Sequence, residues 1–156
     1  MPAWTRGHFR RLFPWDADRY AAHLKALTPN GRRQRFCGMV SEDVLEAHAV
    51  RAIQTGYVEG CFLHGRLIGA CELFVDRLGS DPAQVALSVD PGHDGDGLGT
   101  ELMARARARA SVMGASGIEL QMQGDNAAMI AVARRAGAPI TAMDSTMVIG
   151  APAGDP

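Results

Sequence analysis

Between residues 84 and 113 an apolar strand pattern runs straight into a glycine-rich turn and then into a long amphipathic helix. No other feature of the chain restricts its fold so much. The turn is Pro91-Gly92-His93-Asp94-Gly95-Asp96-Gly97-Leu98-Gly99. Glycines let the backbone bend until successive N–H groups point at one spot, and the start of a helix adds positive potential there. Strand, glycine turn and helix therefore predict an anion site. The helix is expected over residues 98–113, with Leu98, Leu102, Ala106, Ala110 and Met113 on one face and Glu101 paired with Arg105 on another.

The flanking segments supply the rest of a sheet. Residues 8–12 read as a leading strand. A helix over 16–27 is capped by Asp16, buries Ala17, Tyr20, Ala21 and Leu24, and is stopped by Thr28-Pro29-Asn30-Gly31. Ser41 caps a second helix, with a buried stripe of Leu45, Ala49, Ala52 and Ile53, which ends at Gly56. Residues 57–63 and 66–75 alternate like strands joined by a His64-Gly65 turn, and a third strand covers 84–89. Beyond the long helix come a strand at 118–123 and a helix to Ala136. Asn126 or Asp125 caps that helix, Gly137 ends it, and one or two strands follow within 140–149. This order predicts an α/β chain with a mixed sheet and helices on both faces. Length predicts one domain over 1–150, followed by a flexible Pro/Gly-rich tail at 151–156.

Composition removes several classes of function. The formal net charge is −1, which argues against a nucleic-acid partner. No run approaches the ~18 apolar residues of a membrane span, and residues 1–12 lack the apolar core of a signal peptide. Cys37, Cys61 and Cys71 are odd in number and form no C-x-x-C pair. That excludes a disulfide framework or a zinc site and fits a reducing cytoplasm. The five histidines show no metal spacing. His48 reads as packed or rim-exposed, and His93 as a solvated loop side chain, with an approach to phosphate as the alternative. Arg32, Arg33 and Arg35 read as a solvated loop, with a basic rim for an acidic acceptor as the alternative. The apolar end at residues 146–149 offers an edge for a homodimer.

Three anions suit such a turn. A nucleotide-hydrolysing loop needs Lys before Ser or Thr, and Leu98-Gly99-Thr100 has none. A dinucleotide fingerprint needs a third glycine, which Gly97-Leu98-Gly99-Thr100-Glu101-Leu102 lacks. The third is the pyrophosphate of coenzyme A. Here Leu87-Ser88-Val89-Asp90-Pro91 running into Asp94-Gly95-Asp96-Gly97-Leu98-Gly99-Thr100 resembles the strand, Gln/Arg-x-x-Gly-x-Gly/Ala turn and helix of the GNAT superfamily of N-acetyltransferases. Asn126-Ala127-Ala128-Met129 with Ala133-Arg134-Arg135-Ala136-Gly137 is similar to its later helix. Leu27-Thr28-Pro29 with Arg35-Phe36-Cys37 is similar to a stretch in GNAT domains of bacterial protein lysine acetyltransferases.

The resemblance implies a mostly antiparallel GNAT-like sheet and acetyl-CoA as co-substrate, with no metal. It places the coenzyme against Leu87, Ser88, Val89, Asp94, Gly95, Asp96, Gly97, Leu98, Gly99, Thr100 and Asn126. It implies direct acetyl transfer to a primary amine, on a small molecule or a protein lysine. Four positions depart from its pattern. Asp94 and Asp96 bring negative charge to the turn. Ala133 stands where many members carry a tyrosine acid. Gln84 stands where the lysine-acetyltransferase branch has a glutamate base, and it can only orient a water or an amine. The remaining candidate base is Glu72, on a strand face with Ile68, Ala70 and Phe74, where burial would raise its pKa. The alternative reading is a degenerate domain that binds acyl-CoA as a sensor or interaction module.

Overall fold

The computed structural model describes residues 1–76, 82–123, 125–135, 140–143 and 146–152. Strand β1 is His8–Arg11, followed by helices α1 (Ala17–Lys25), α2 (Pro29–Phe36) and α3 (Glu42–Thr55). Strands β2 (Tyr57–Leu63), β3 (Arg66–Phe74) and β4 (Ala83–Val89) precede α4 (Leu98–Val112). Then come β5 (Gly117–Gln123), α5 (Ala127–Arg135), β6 (Ile140–Met143) and β7 (Thr146–Pro152). The strands form one sheet in the order β1-β2-β3-β4-β5-β7-β6. All neighbours are antiparallel except β4 and β5. Among the described residues no helix is long and apolar enough to cross a membrane.

Each face of the sheet carries its own apolar layer. Leu98, Leu102, Met103, Ala106 and Ala110 of α4, with Val132 and Ala133 of α5, cover one face. Tyr20, Ala21 and Leu24 of α1 and Leu45, Ala49 and Ile53 of α3 cover the other. Ser41 caps α3 by accepting from the Val44 N–H at 3.4 Å. His64 (φ 51°) and Gly65 (φ 77°) form the turn between β2 and β3. Gly69 of β3 has a packing reason: a Cβ there would lie 2.9 Å from Leu98 Cδ2. Its absence seats the start of α4 close on the sheet.

Several expectations are corrected. Thr28-Pro29 does not merely stop α1; it starts α2, with the Thr28 hydroxyl accepting from the Gly31 N–H at 2.9 Å and Pro29 in the first turn. Asp16 does not cap α1 with its side chain. Its buried carboxylate is clamped by Arg10 at 2.8 and 2.9 Å, hydrogen bonds that hold its pKa down. The register of β2 on β3 shifts between Cys61 and Phe62, which pair with Gly69 and Leu67. Ile68 is the extra residue of this bulge. It joins the α4 layer, while Ala70 joins the layer of α1 and α3, so Ile68 does not share a face with Glu72. Residues 151 and 152 pair with Ile118 and Gly117 rather than forming a tail, and 153–156 lie outside the described residues, as does Gly137. Strand β7 runs between β5 and β6, so residues 146–149 offer no free edge.

Candidate active site

The parallel pair β4 and β5 is joined only at Ala83↔Ile118 and Gln84↔Glu119. Beyond Gln84 the strands part, and a cleft of about 440 Å³ opens between Val85 to Val89 on one side and Leu120 and Met122 on the other. The glycine turn and the start of α4 form one end of it, and α2 lies along it through Thr28, Gly31, Gln34 and Arg35. Ion pairing of Arg33 with Asp125 at 3.0 Å ties α2 to the approach to α5.

Of the residues predicted to meet the coenzyme, Leu87, Ser88, Val89, Asp94, Gly95, Gly97, Gly99, Thr100 and Asn126 line this cleft. Two do not line it. Leu98 is fully buried in the core, and the Asp96 backbone carbonyl is held by Trp4, whose Nε1–H donates to it at 2.8 Å. Ser88 lines the cleft, but its hydroxyl bonds His23 Nε2 at 2.8 Å on the far face of β4. Burial pushes His23 down to about 4. A neutral ring accepting from Ser88 leaves Nδ1 to donate to the Leu67 carbonyl at 3.2 Å. Asn126 caps α5, its Oδ1 accepting from the Met129 N–H at 3.2 Å.

The turn ends in the conformation that an anion site requires. Gly97 precedes α4 at φ 88°, and no side chain caps that helix end. The first amides of a helix lack intrahelical acceptors, so those of α4 are available at the cleft. Thr100 Oγ1 and His93 Nδ1 are both buried there without a hydrogen-bond partner. Orphaned polar atoms at a helix start fit a phosphate ligand. His93 thus lines the site instead of standing in solvent. Asp94 also lines it, and burial together with the nearby Asp90 charge raises its pKa.

A second cavity of about 500 Å³ holds Gln84 and Glu72 together with His48, Arg51 and Phe74. Arg35, Val85 and Ala86 line both cavities and mark where they meet. Gln84 is exposed on this side of β4. Glu72 is half-buried and fully engaged: Arg35 Nη2 pairs with it at 2.7 Å, His48 Nε2 lies 2.6 Å from Oε1, and the Tyr20 hydroxyl donates to the same oxygen. Burial alone would raise this carboxyl. The Arg35 charge, with the His48 and Tyr20 hydrogen bonds, outweighs burial and holds it at about 2. The expected rise in its pKa is thereby reversed. Burial and the Glu72 charge push the Tyr20 phenol well up.

Sequence reasoning placed Arg35 in a solvated loop and gave His48 no role. Both belong to this cluster, and Arg35 has a side chain only 9% exposed. Two arginines of α4 are engaged away from the cleft: Arg105 binds Glu59 at 3.0 Å and Glu101 at 2.9 Å, and Arg109 lies over the Tyr57 ring.

A sequence profile of the Acetyltransferase (GNAT) family matches residues 4–138. The chain belongs to that family. Its fold is similar to that of the GNAT domain of S. lividans PAT, with 18% identity and a TM-score of 0.80 over 94% of this chain and 90% of that one. PaiA N-acetyltransferase from Thermoplasma acidophilum, solved with coenzyme A, is 16% identical with a TM-score of 0.71, over 94% of this chain and 98% of the other. The yncA protein of Salmonella typhimurium, solved with acetyl-CoA, is 18% identical with a TM-score of 0.67, over 97% and 96%. No curated protein matches the sequence. Like its family, this GNAT chain is an acetyltransferase.

Proposed function

We propose that the chain is an acetyl-CoA-dependent N-acetyltransferase that moves an acetyl group directly onto a primary amine. The observation that carries this reading is the cleft between β4 and β5, which ends at an uncapped helix start with orphaned Thr100 Oγ1 and His93 Nδ1. Coenzyme A bound to the PaiA relative supports the same ligand here. When bound, acetyl-CoA supplies an acyl group already activated as a thioester. The amides of Leu98, Gly99 and Thr100 would hold its pyrophosphate, and Leu87 to Val89, freed from β5, would hold its arm and aim the carbonyl. The amine enters through the second cavity and meets the acetyl group beside Val85 and Ala86. Gln84 orients that amine or a water, and positioning supplies much of the acceleration.

Gln84 and Ala133 favour a second reading, an acyl-CoA sensor without efficient turnover. Calorimetry with acetyl-CoA followed by thiol release over a panel of small amines and lysine peptides tests both. Binding with turnover supports the enzyme, binding without turnover supports the sensor, and absent binding refutes both.

A further inference from the structure

We propose that His48 is the general base that deprotonates the acceptor amine, and that Glu72 positions it rather than acting as the base. This inference rests on the acetyltransferase reading. Its geometric ground is the second cavity, which His48 lines from α3 opposite Gln84. Glu72 there is an ionised carboxylate, which only accepts hydrogen bonds. The 2.6 Å contact therefore requires His48 Nε2 to carry the proton. In a neutral imidazole the other nitrogen, Nδ1, then holds the lone pair. No protein group partners Nδ1 among the described residues, and the side chain is 20% exposed. The Phe36 ring meets the imidazole edge-on, with centroids 5.1 Å apart and planes at 88°, so orientation is fixed from two sides.

Placement favours the same role. The register partner of Glu72 is Ala86, which lines both cavities. An imidazole tied to Glu72 is thus held next to the strand segment where amine and thioester meet. The charged and titratable groups around it are Glu72 on β3, Arg35 on α2, Cys37 at the end of α2, Tyr20 on α1 and Arg51 on α3. Arg35, Tyr20 and His48 all engage Glu72, and of the three His48 has a second ring nitrogen, Nδ1, outside that contact. Among ordinary side chains, histidine is the one that changes charge between about pH 5 and 8.

The chemistry balances. His48 Nδ1 takes one proton from the incoming ammonium. The nitrogen lone pair so released forms the C–N bond to the acetyl carbon as the C–S bond breaks. Sulfur leaves as thiolate and takes up the second nitrogen proton, and the imidazolium returns its proton to water. The sum is amide, thiol and one proton released.

Four measurements test the proposal. Nitrogen-15 NMR of wild type should show neutral His48 as the Nε2–H tautomer, and Glu72→Gln should disturb that preference. An Nδ1–H tautomer in wild type overturns the proposal whatever the activity. With an active amine, His48→Gln should lower kcat/KM for that amine by about 10²-fold or more and remove the acid limb of the pH profile. Calorimetric affinity for acetyl-CoA should stay within twofold. Added imidazole should restore part of the rate to His48→Gly. A retained acid limb in His48→Gln refutes the base role. A wild type that binds acetyl-CoA but acetylates no amine refutes the transferase reading instead, while the tautomer remains measurable.

Discussion

Replacing Glu72 by Gln isolates the electrostatic work of the buried cluster, because the variant keeps the shape of the side chain and loses its titration. The carboxyl falls from an ordinary 4.5 to about 2 on folding. A depressed folded value contributes stability that is present above the unfolded pKa and is lost as pH falls toward the folded one. At neutral pH the contribution is roughly 3 kcal/mol, since each unit between folded and unfolded values is worth about 1.4 kcal/mol. At pH 3 the same linkage leaves roughly 1 kcal/mol. The glutamine variant also strands Arg35, whose side chain is 9% exposed. Breaking a buried pair by removing one partner costs about 3–5 kcal/mol. Urea unfolding followed by circular dichroism should therefore show a gap of that size at pH 7. The gap should narrow by about 2 kcal/mol at pH 3. Asp16, also depressed by its arginine, acts equally in both proteins and cancels. A gap unchanged between pH 7 and pH 3 would refute the charged, clamped carboxylate.

Other perturbations address the cleft. Gly97 sits at φ 88°, where a branched residue is strained by about 1–3 kcal/mol, so Gly97→Val should lose the rise in melting temperature that millimolar acetyl-CoA gives wild type; a full rise would place the ligand elsewhere. Asp94 lines the cleft and Asp96 does not, so Asp94→Asn should tighten coenzyme A about threefold by calorimetry, matching a repulsion of ~0.6 kcal/mol at about 7 Å in water-like screening. Asp96→Asn should change affinity less, and the reverse order would contradict the placement of the two side chains. Trp4→Phe removes the bond to the Asp96 carbonyl, worth about 0.5–1.5 kcal/mol, and should raise KM for acetyl-CoA a few-fold with kcat within twofold. A lowered kcat at unchanged KM would exclude a loop-positioning role.

Local signals were enough to find α3, the β2–β3 hairpin and α4. Each is marked by its own residues: the Ser41 cap, the alternation ending at His64-Gly65, and the Leu98-Leu102-Ala106-Ala110 stripe. Helix α2 escaped because Pro29-Asn30-Gly31-Arg32-Arg33-Gln34-Arg35-Phe36 has no apolar periodicity to read. Its visible signal was at the start, where Thr28-Pro29 both ends one helix and opens the next. What holds it in place is tertiary, through Arg33 to Asp125 and Arg35 to Glu72. The bulge at Ile68 escaped for a related reason: alternation within one strand does not reveal an extra residue relative to its partner.

The two halves of the candidate site differed in legibility for the same cause. The anion end of the cleft depends on glycine backbone angles and a helix start within Gly95 to Thr100. Those are local properties, and the motif carries them. The second cavity depends on Tyr20, Arg35 and His48 converging from three helices on one strand residue. Glu72 shows why that could not be read along the chain. Burial and a neighbouring cation move a carboxyl in opposite directions. Apolar neighbours in sequence reveal the first, while the cation arrives from a helix 37 positions earlier. The same separation gives the fold a useful independence. Substitutions on α2 and α3 can reshape the second cavity, because their side chains line it. The positive φ angles of the glycine turn, 76° at Gly95 and 88° at Gly97, belong to the turn's own residues.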